Sequence, residues 1–216
     1  MSSVAAQAGG YMALAGAAAA MAVGAAGLFS TRLRSVVVYS AVLQAGYAGV
    51  GVAAGLLAKQ SGGYSAAMFQ VIAGAAGVGL MWVATRAIGA HTGEPPAPES
   101  TPQVWCVFCL ALSCMSLVGL PPLAGLPAKV AIIHAGLRNP LALFVVTIGA
   151  AALGVVSLWA YASIVLPMVL GRASADRPVV GRGLRAAVDA LVAVLVALGL
   201  VPYIGFAIGA AVAGGP

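Results

Sequence analysis

The chain has 216 residues, 62% of them hydrophobic and only 6% charged, and its mean hydropathy is +1.09. Soluble domains carry roughly 25% charged residues; ten basic and four acidic side chains cannot clothe a soluble body of this size, so a soluble enzyme and a disordered chain are both excluded. What remains is an all-α, polytopic transmembrane helical bundle, because the apolar runs are continuous rather than alternating as in a β-barrel. The net charge of +6 is not a nucleic-acid signal, since the cations sit mostly in short connections between apolar runs, where membrane proteins keep them.

Seven apolar segments follow in order: Gly10–Phe29, Val36–Ala58, Ala66–Ile88, Val104–Leu120, Ala124–Leu137, Leu141–Leu170 and Ala186–Ala210. The first is long enough to span, and no Lys or Arg precedes it, so it reads as a membrane helix rather than a cleavable signal. Two connections are polar, Gly89–Gln103 and Gly171–Arg185. Neither separates two domains, so residues 1–216 are expected to form a single transmembrane unit. Glycine and alanine dominate the apolar runs, as in tightly packed membrane helices, and Gly51 and Gly55 make a G-x-x-x-G expected to bring two helices close together.

The second segment carries Tyr39, Ser40, Gln44 and Tyr47. Ser40, Gln44 and Tyr47 step by four and three residues and share one helical stripe. Such a stripe lines a water path or, more commonly, bonds to a neighbouring helix. The third segment offers Gln70 and Thr85, the sixth Thr147, Ser157 and Tyr161 as interhelical contacts. Asp189 is expected near the start of the last helix, where the helix dipole favours an acid.

The fifth segment is too short for a straight crossing. Pro121 and Pro122 precede it and it contains Gly125 and Pro127, so a broken helix is predicted here. Broken helices survive in lipid where protein or a water cavity satisfies the freed backbone groups. Lys129 follows the break. A charged ammonium at membrane depth costs about 3 kcal/mol on insertion scales, and desolvation favours the neutral amine. Lys129 can therefore load and release a proton, or it can snorkel to the interface. His134 is a second candidate relay, since an imidazole can take up and release a proton. A five-residue step places it about 140° round the helix from Lys129.

Cys106, Cys109 and Cys114 lie in one apolar run and read as packing residues, with no second pair to complete a zinc site. No dinucleotide fingerprint, P-loop or haem-attachment motif is present. His91 and His134 are the two histidines, so no bis-histidine haem site is expected from one chain. No metal and no cofactor is expected in this chain.

The stretch Ser116–Lys129, S-L-V-G-L-P-P-L-A-G-L-P-A-K, resembles the S-L-A-G-x-P-P-x-x-G-F-x-G-K signature of the antiporter-like, proton-translocating membrane subunits. That family includes subunit N of NADH:quinone oxidoreductase (complex I) and the corresponding subunit of multisubunit cation/proton antiporters. From Arg34, R-S-V-V-V-Y-S-A-V-L-Q-A-G-Y is similar to the family's K-R-L-L-A-Y-S-S-I-x-Q-x-G-Y, with Tyr39, Ser40, Gln44, Gly46 and Tyr47 in place. Val156–Tyr161 resembles a later S-x-x-Y-Y stretch. The matches run in the family's order over what would be its C-terminal half.

The resemblance implies that Lys129 sits on a discontinuous helix in a chain of buried protonatable groups. Tyr39, Ser40, Gln44 and Tyr47 would line the path. It implies other membrane subunits as partners, with quinone, NADH and iron–sulfur clusters held elsewhere, and a multi-pass protein of the bacterial cell membrane. Leu126 and Ala128 replace the family's phenylalanine and second glycine, and Pro127 is an additional breaker. Three rival expectations stand beside this one: a component of a cation/proton antiporter, a structural subunit without transport, and an unrelated small transporter.

Overall fold

The computed structural model describes residues 3–58, 61–87, 104–137, 140–170 and 182–212. Among the described residues eight helices follow in order: α1 Ser3–Gly27, α2 Leu33–Ala58, α3 Ser61–Ala87, α4 Val104–Val118, α5 Gly125–Leu137, α6 Leu141–Leu170, α7 Arg182–Leu200 and α8 Pro202–Val212. No strand occurs among the described residues. Among the described residues four helices are long and apolar enough to cross a membrane (α1, α2, α3 and α6), and α7 with α8 forms a bent apolar pair, with the shape of a broken span or a re-entrant loop. The protein is a multi-pass helical membrane bundle. Most of the two polar connections, with Lys59, His91 and Arg138, lies outside the described residues.

The first six segments appear as α1 to α6, α6 with the expected bounds and the others with ends shifted by up to seven residues, the largest shift being the start of α1 at Ser3 rather than Gly10. The seventh does not form one helix. It breaks at Val201 into α7 and α8, bent by 97°. Pro202 lacks the N–H that would continue the helix, and its ring disfavours helical backbone at the residue before it. At the first position of α8 the same ring fits, because that N–H has no intrahelical partner. Asp189 also departs from expectation. With α7 starting at Arg182, it lies two turns inside the helix, and no acidic residue occupies the first turn.

Helix packing follows the small residues. A Cβ on Gly24 would fall 2.7 Å from the Leu43 backbone nitrogen, and one on Gly46 2.5 Å from the Met21 side chain. The α1–α2 contact is therefore backbone against backbone. Tyr39, half-buried, lays its ring across Gly27, where a Cβ would sit 2.0 Å from it. The expected G-x-x-x-G contact is present: Gly51 abuts Ala67 of α3, and Gly55 abuts Tyr64 and Gly63. In lipid, where apolar burial gives no preference for protein over acyl chains, such close approach supplies the packing attraction. The inner faces make one continuous apolar core containing Leu43, Phe69, Leu80, Leu110, Ile132 and Leu143. Cys106, Cys109 and Cys114 are all buried within the bundle.

Adjacent glycines at the start of α3 provide a test. A Cβ on Gly63 would meet the Gly55 nitrogen at 2.4 Å, whereas one on Gly62 would meet nothing within 4 Å. Gly63→Ala is expected to lower stability by about 1–3 kcal/mol, the usual cost of overpacking. Gly62→Ala should be neutral or slightly stabilising, through helix propensity. Thermal unfolding of the two variants in one detergent checks this.

Candidate functional site

The site is built on the interruption between α4 and α5. Gly119 takes φ of +94°, a left-handed conformation that glycine adopts without penalty. The Leu120 N–H donates to Met115 O at 2.9 Å and the Gly119 N–H to Ser116 O at 3.1 Å. This is the hydrogen-bond pattern of a Schellman C-cap. Beyond it the chain reads Pro121-Pro122. In a continuous helix the Leu117 carbonyl would bond to the N–H of residue 121, and that residue has none. Leu117 O is thus a backbone acceptor freed by sequence, within the bundle.

Two side chains converge on that oxygen. Lys129 Nζ donates to it, and Gln44 Nε2 donates to it at 3.2 Å. Lys129 lies one turn into α5 and is buried, 8% exposed. Its side chain runs back towards the break, as helical side chains lean towards the N-terminus. Its stem passes Gly119, where a Cβ would sit 3.1 Å from Lys129 Cδ. The Nζ lies 4.1 Å from the centre of the Tyr47 ring, a cation–π distance. Lys129 does not reach out to the interface.

Helix α2 supplies the opposite wall. Gln44 Oε1 accepts from Gln70 Nε2 at 2.6 Å, tying α2 to α3. Tyr47 donates through its hydroxyl to Ala150 O of α6 at 2.8 Å. One turn away, Ser40 Oγ lies 2.8 Å from Tyr161 Oη. Within the stripe, Ser40 and Tyr47 bond to α6, and Gln44 bonds to α3 and α4. Among the described residues, two buried polar atoms have no hydrogen-bond partner, Gln70 Oε1 and Ser116 Oγ.

The break is braced from behind by α7. Ala124 N–H donates to Leu195 O at 3.0 Å, and a Cβ on Gly199 would fall 1.9 Å from Pro122 O. Gly125 packs against Ser116 O, where a Cβ would fall at 1.7 Å.

The break itself lies at 119–124, upstream of where the fifth segment's own proline suggested. Pro127 does not interrupt α5. It occupies the first turn, where an N–H has no intrahelical partner and proline is tolerated. His134 is exposed, so the structure does not bring it together with Lys129. Of the sixth-segment residues, Tyr161 bonds across to α2, whereas Thr147 and Ser157 bond back to their own helix. Sequence reasoning missed the Leu117 carbonyl, because a backbone atom has no residue-type signal. The signal that finds it is Pro121, one helical hydrogen-bond step further along the chain.

No protein-family model matches the chain. It is similar to NADH-quinone oxidoreductase subunit N of Methylobacterium nodulans, 32% identical over 198 residues, which cover 86% of this chain and 39% of that protein. Subunit N of Laribacter hongkongensis is 29% identical over 118 residues, 52% of this chain and 24% of that one. The sequence likeness is therefore to subunit N of NADH-quinone oxidoreductase, over part of that protein's length. The chain spans about two-fifths of the length of the first of these relatives.

Solved structures with the same fold include the Mrp complex from Dietzia sp. DQ12-45-1b, with a TM-score of 0.79 and 20% identity over 95% of this chain and 47% of that one. The archaeal membrane-bound sulfane sulfur reductase gives 0.77 with 17% identity, over 95% and 42%. Respiratory complex I from Thermus thermophilus gives 0.62 with 19% identity, over 95% and 44%. The freed carbonyl and the lysine that occupies it form the polar centre of the bundle.

The amide network can be tested on its own. Gln44→Leu removes one donor from Leu117 O and leaves Gln70 Nε2 without an acceptor. A loss of about 1–2 kcal/mol is expected, in the range for polar contacts between membrane helices. Adding Gln70→Leu should restore part of it, because paired removal leaves fewer orphaned groups. A double-mutant cycle on unfolding midpoints reads the coupling.

Proposed function

We propose that this chain is a membrane subunit of a complex I-like NADH:quinone oxidoreductase and carries protons through Lys129. The observation that carries the reading is the placing of Lys129 Nζ on Leu117 O inside the break. The ammonium has three N–H donors, and among the described residues Leu117 O is its one hydrogen-bond acceptor, with the Tyr47 ring beside it. Water has to complete the shell of the charged form. The two orphaned atoms, Gln70 Oε1 and Ser116 Oγ, give such water polar footholds.

In this reading the loaded ammonium gives one proton to a water oxygen and becomes the neutral amine. The amine keeps its hydrogen bond to Leu117 O through a remaining N–H, and its lone pair takes the next proton from water on the other side. Gln44 and Tyr47 hold the site's geometry without changing charge. His134, exposed on α5, is a station only for a path continuing into a neighbouring chain. The oxidation of NADH, the reduction of quinone and the iron–sulfur clusters belong to other subunits. The names of the curated relatives favour this assembly. The higher TM-score with the Mrp complex favours the second reading, a component of a multisubunit cation/proton antiporter. The chains that co-purify from native membranes separate the two. The bacterial relatives support a place in a bacterial cell membrane.

The test uses the intact assembly in sealed vesicles. Lys129→Ala is expected to abolish coupled proton movement while the complex still assembles. Lys129→Arg should fail as well, because a guanidinium does not release its proton. Unchanged proton movement in Lys129→Ala with intact assembly rules out the relay. Activity retained by Lys129→Arg alone would assign the lysine a fixed-charge role.

A further inference from the structure

Helices α2 and α3 form an antiparallel hairpin whose register is fixed by the contacts Gly55 to Gly63, Gly51 to Ala67 and Gln44 to Gly74. The glycines hold the helices together at the turn end. Towards the other end an open groove of about 630 Å³ runs between the helices. Its walls include Val38, Ala41, Val71, Val78 and Trp82, and the amides of Gln44 and Gln70 close its inner end. From Val71 to Trp82 the α3 wall rises about 17 Å, close to the depth of one leaflet, half of a hydrocarbon core of roughly 30 Å.

The outer end of this groove is positively charged. Arg34 lies three and four residues before Val37 and Val38, one helical turn above the α2 wall. Arg86 lies one turn beyond Trp82, with its guanidinium 4.8 Å from the Trp82 ring centre. The antiparallel register brings the beginning of α2 beside the end of α3, so both arginines flank the same mouth, and both are exposed. Arg32, also exposed, is two residues away. Tryptophan at a helix end marks headgroup level. The one carboxylate side chain among the described residues is Asp189, exposed on α7. No ion pair links it to either arginine among those residues.

We propose that this groove binds an anionic phospholipid, with one acyl chain along the α2–α3 wall and the phosphate between Arg34 and Arg86. An apolar channel one leaflet deep, topped by two guanidiniums at headgroup level, matches a lipid in both length and charge. Arginine forks suit phosphate oxygens, and basic clusters beside membrane helices attract acidic headgroups. The site uses neither Lys129 nor Leu117 and stands apart from the proton-carrying reading.

Native mass spectrometry of the full chain, titrated with phosphatidylglycerol or phosphatidylcholine of identical acyl composition, tests it. Phosphatidylglycerol should bind about thirtyfold more tightly, from roughly fivefold for each arginine near a membrane surface. Arg34→Gln combined with Arg86→Gln should bring phosphatidylglycerol to the level of phosphatidylcholine. Ala41→Phe, an exposed position on the wall, should weaken both lipids, and Lys129→Ala should leave the preference unchanged. Equal binding of the two lipids by the native chain, a preference that survives the double substitution, or lipid binding untouched by Ala41→Phe would each overturn the proposal. So would a photoreactive residue at position 41 that yields only adducts with a protein helix in native membranes.

Discussion

One backbone oxygen organises this bundle. Leu117 O loses its helical donor because residue 121 is proline, and an unpaired carbonyl in a membrane interior costs several kcal/mol. The fold offsets that cost with two side chains from different helices, Lys129 of α5 and Gln44 of α2. The exchange works in both directions. A buried ammonium also needs an acceptor, and in a continuous helix every carbonyl at this depth is occupied. Break and lysine are each unfavourable alone, and together they satisfy one another.

The remaining architecture holds that pair in place. The Schellman cap at Gly119 ends α4 cleanly, and its missing side chain makes room for the lysine stem. Helix α7 supports the interrupted segment through Leu195 O and the bare backbone at Gly199. Helix α2 runs through the centre, and its one polar stripe reaches α3, α4 and α6 through Ser40, Gln44 and Tyr47. Glycine and alanine on α1, α2 and α3 let the helix axes approach closely enough for these short side chains to span the gaps.

Much of this was legible in the sequence, for identifiable reasons. Continuous apolar runs give the spans, and the i, i+4, i+7 spacing of Ser40, Gln44 and Tyr47 gives a shared face. The double proline marks the break. Other features were hidden because they depend on where a proline falls within a helix turn. Pro127 looks like a breaker but sits where helices accept proline, whereas Pro202 looks like one proline in a long run and turns the chain by 97°. Gln70 gave no sign of its partner, since the hairpin register that sets it one turn from the residue opposite Gln44 is fixed by glycines seven and eleven residues further along α2. The convergence of Lys129 and Gln44 on a backbone atom has no counterpart in residue type at all.

The two ends of the α2–α3 hairpin also explain why the lysine site lies where it does. At the turn end, the glycines of α2 bring the two helices into close contact, with Gly51 against Ala67 and Gly55 against Gly63 and Tyr64. Towards the other end an open, mainly apolar groove lies between the helices. Gln44 and Gln70 sit at the transition, with their amides joined at 2.6 Å. On one side they close the groove, and on the other Gln44 reaches the carbonyl that holds Lys129. The amide pair is thus the partition between the open apolar groove and the polar centre. An amide suits that position, because it carries hydrogen bonds to both sides and no net charge that lipid would have to solvate.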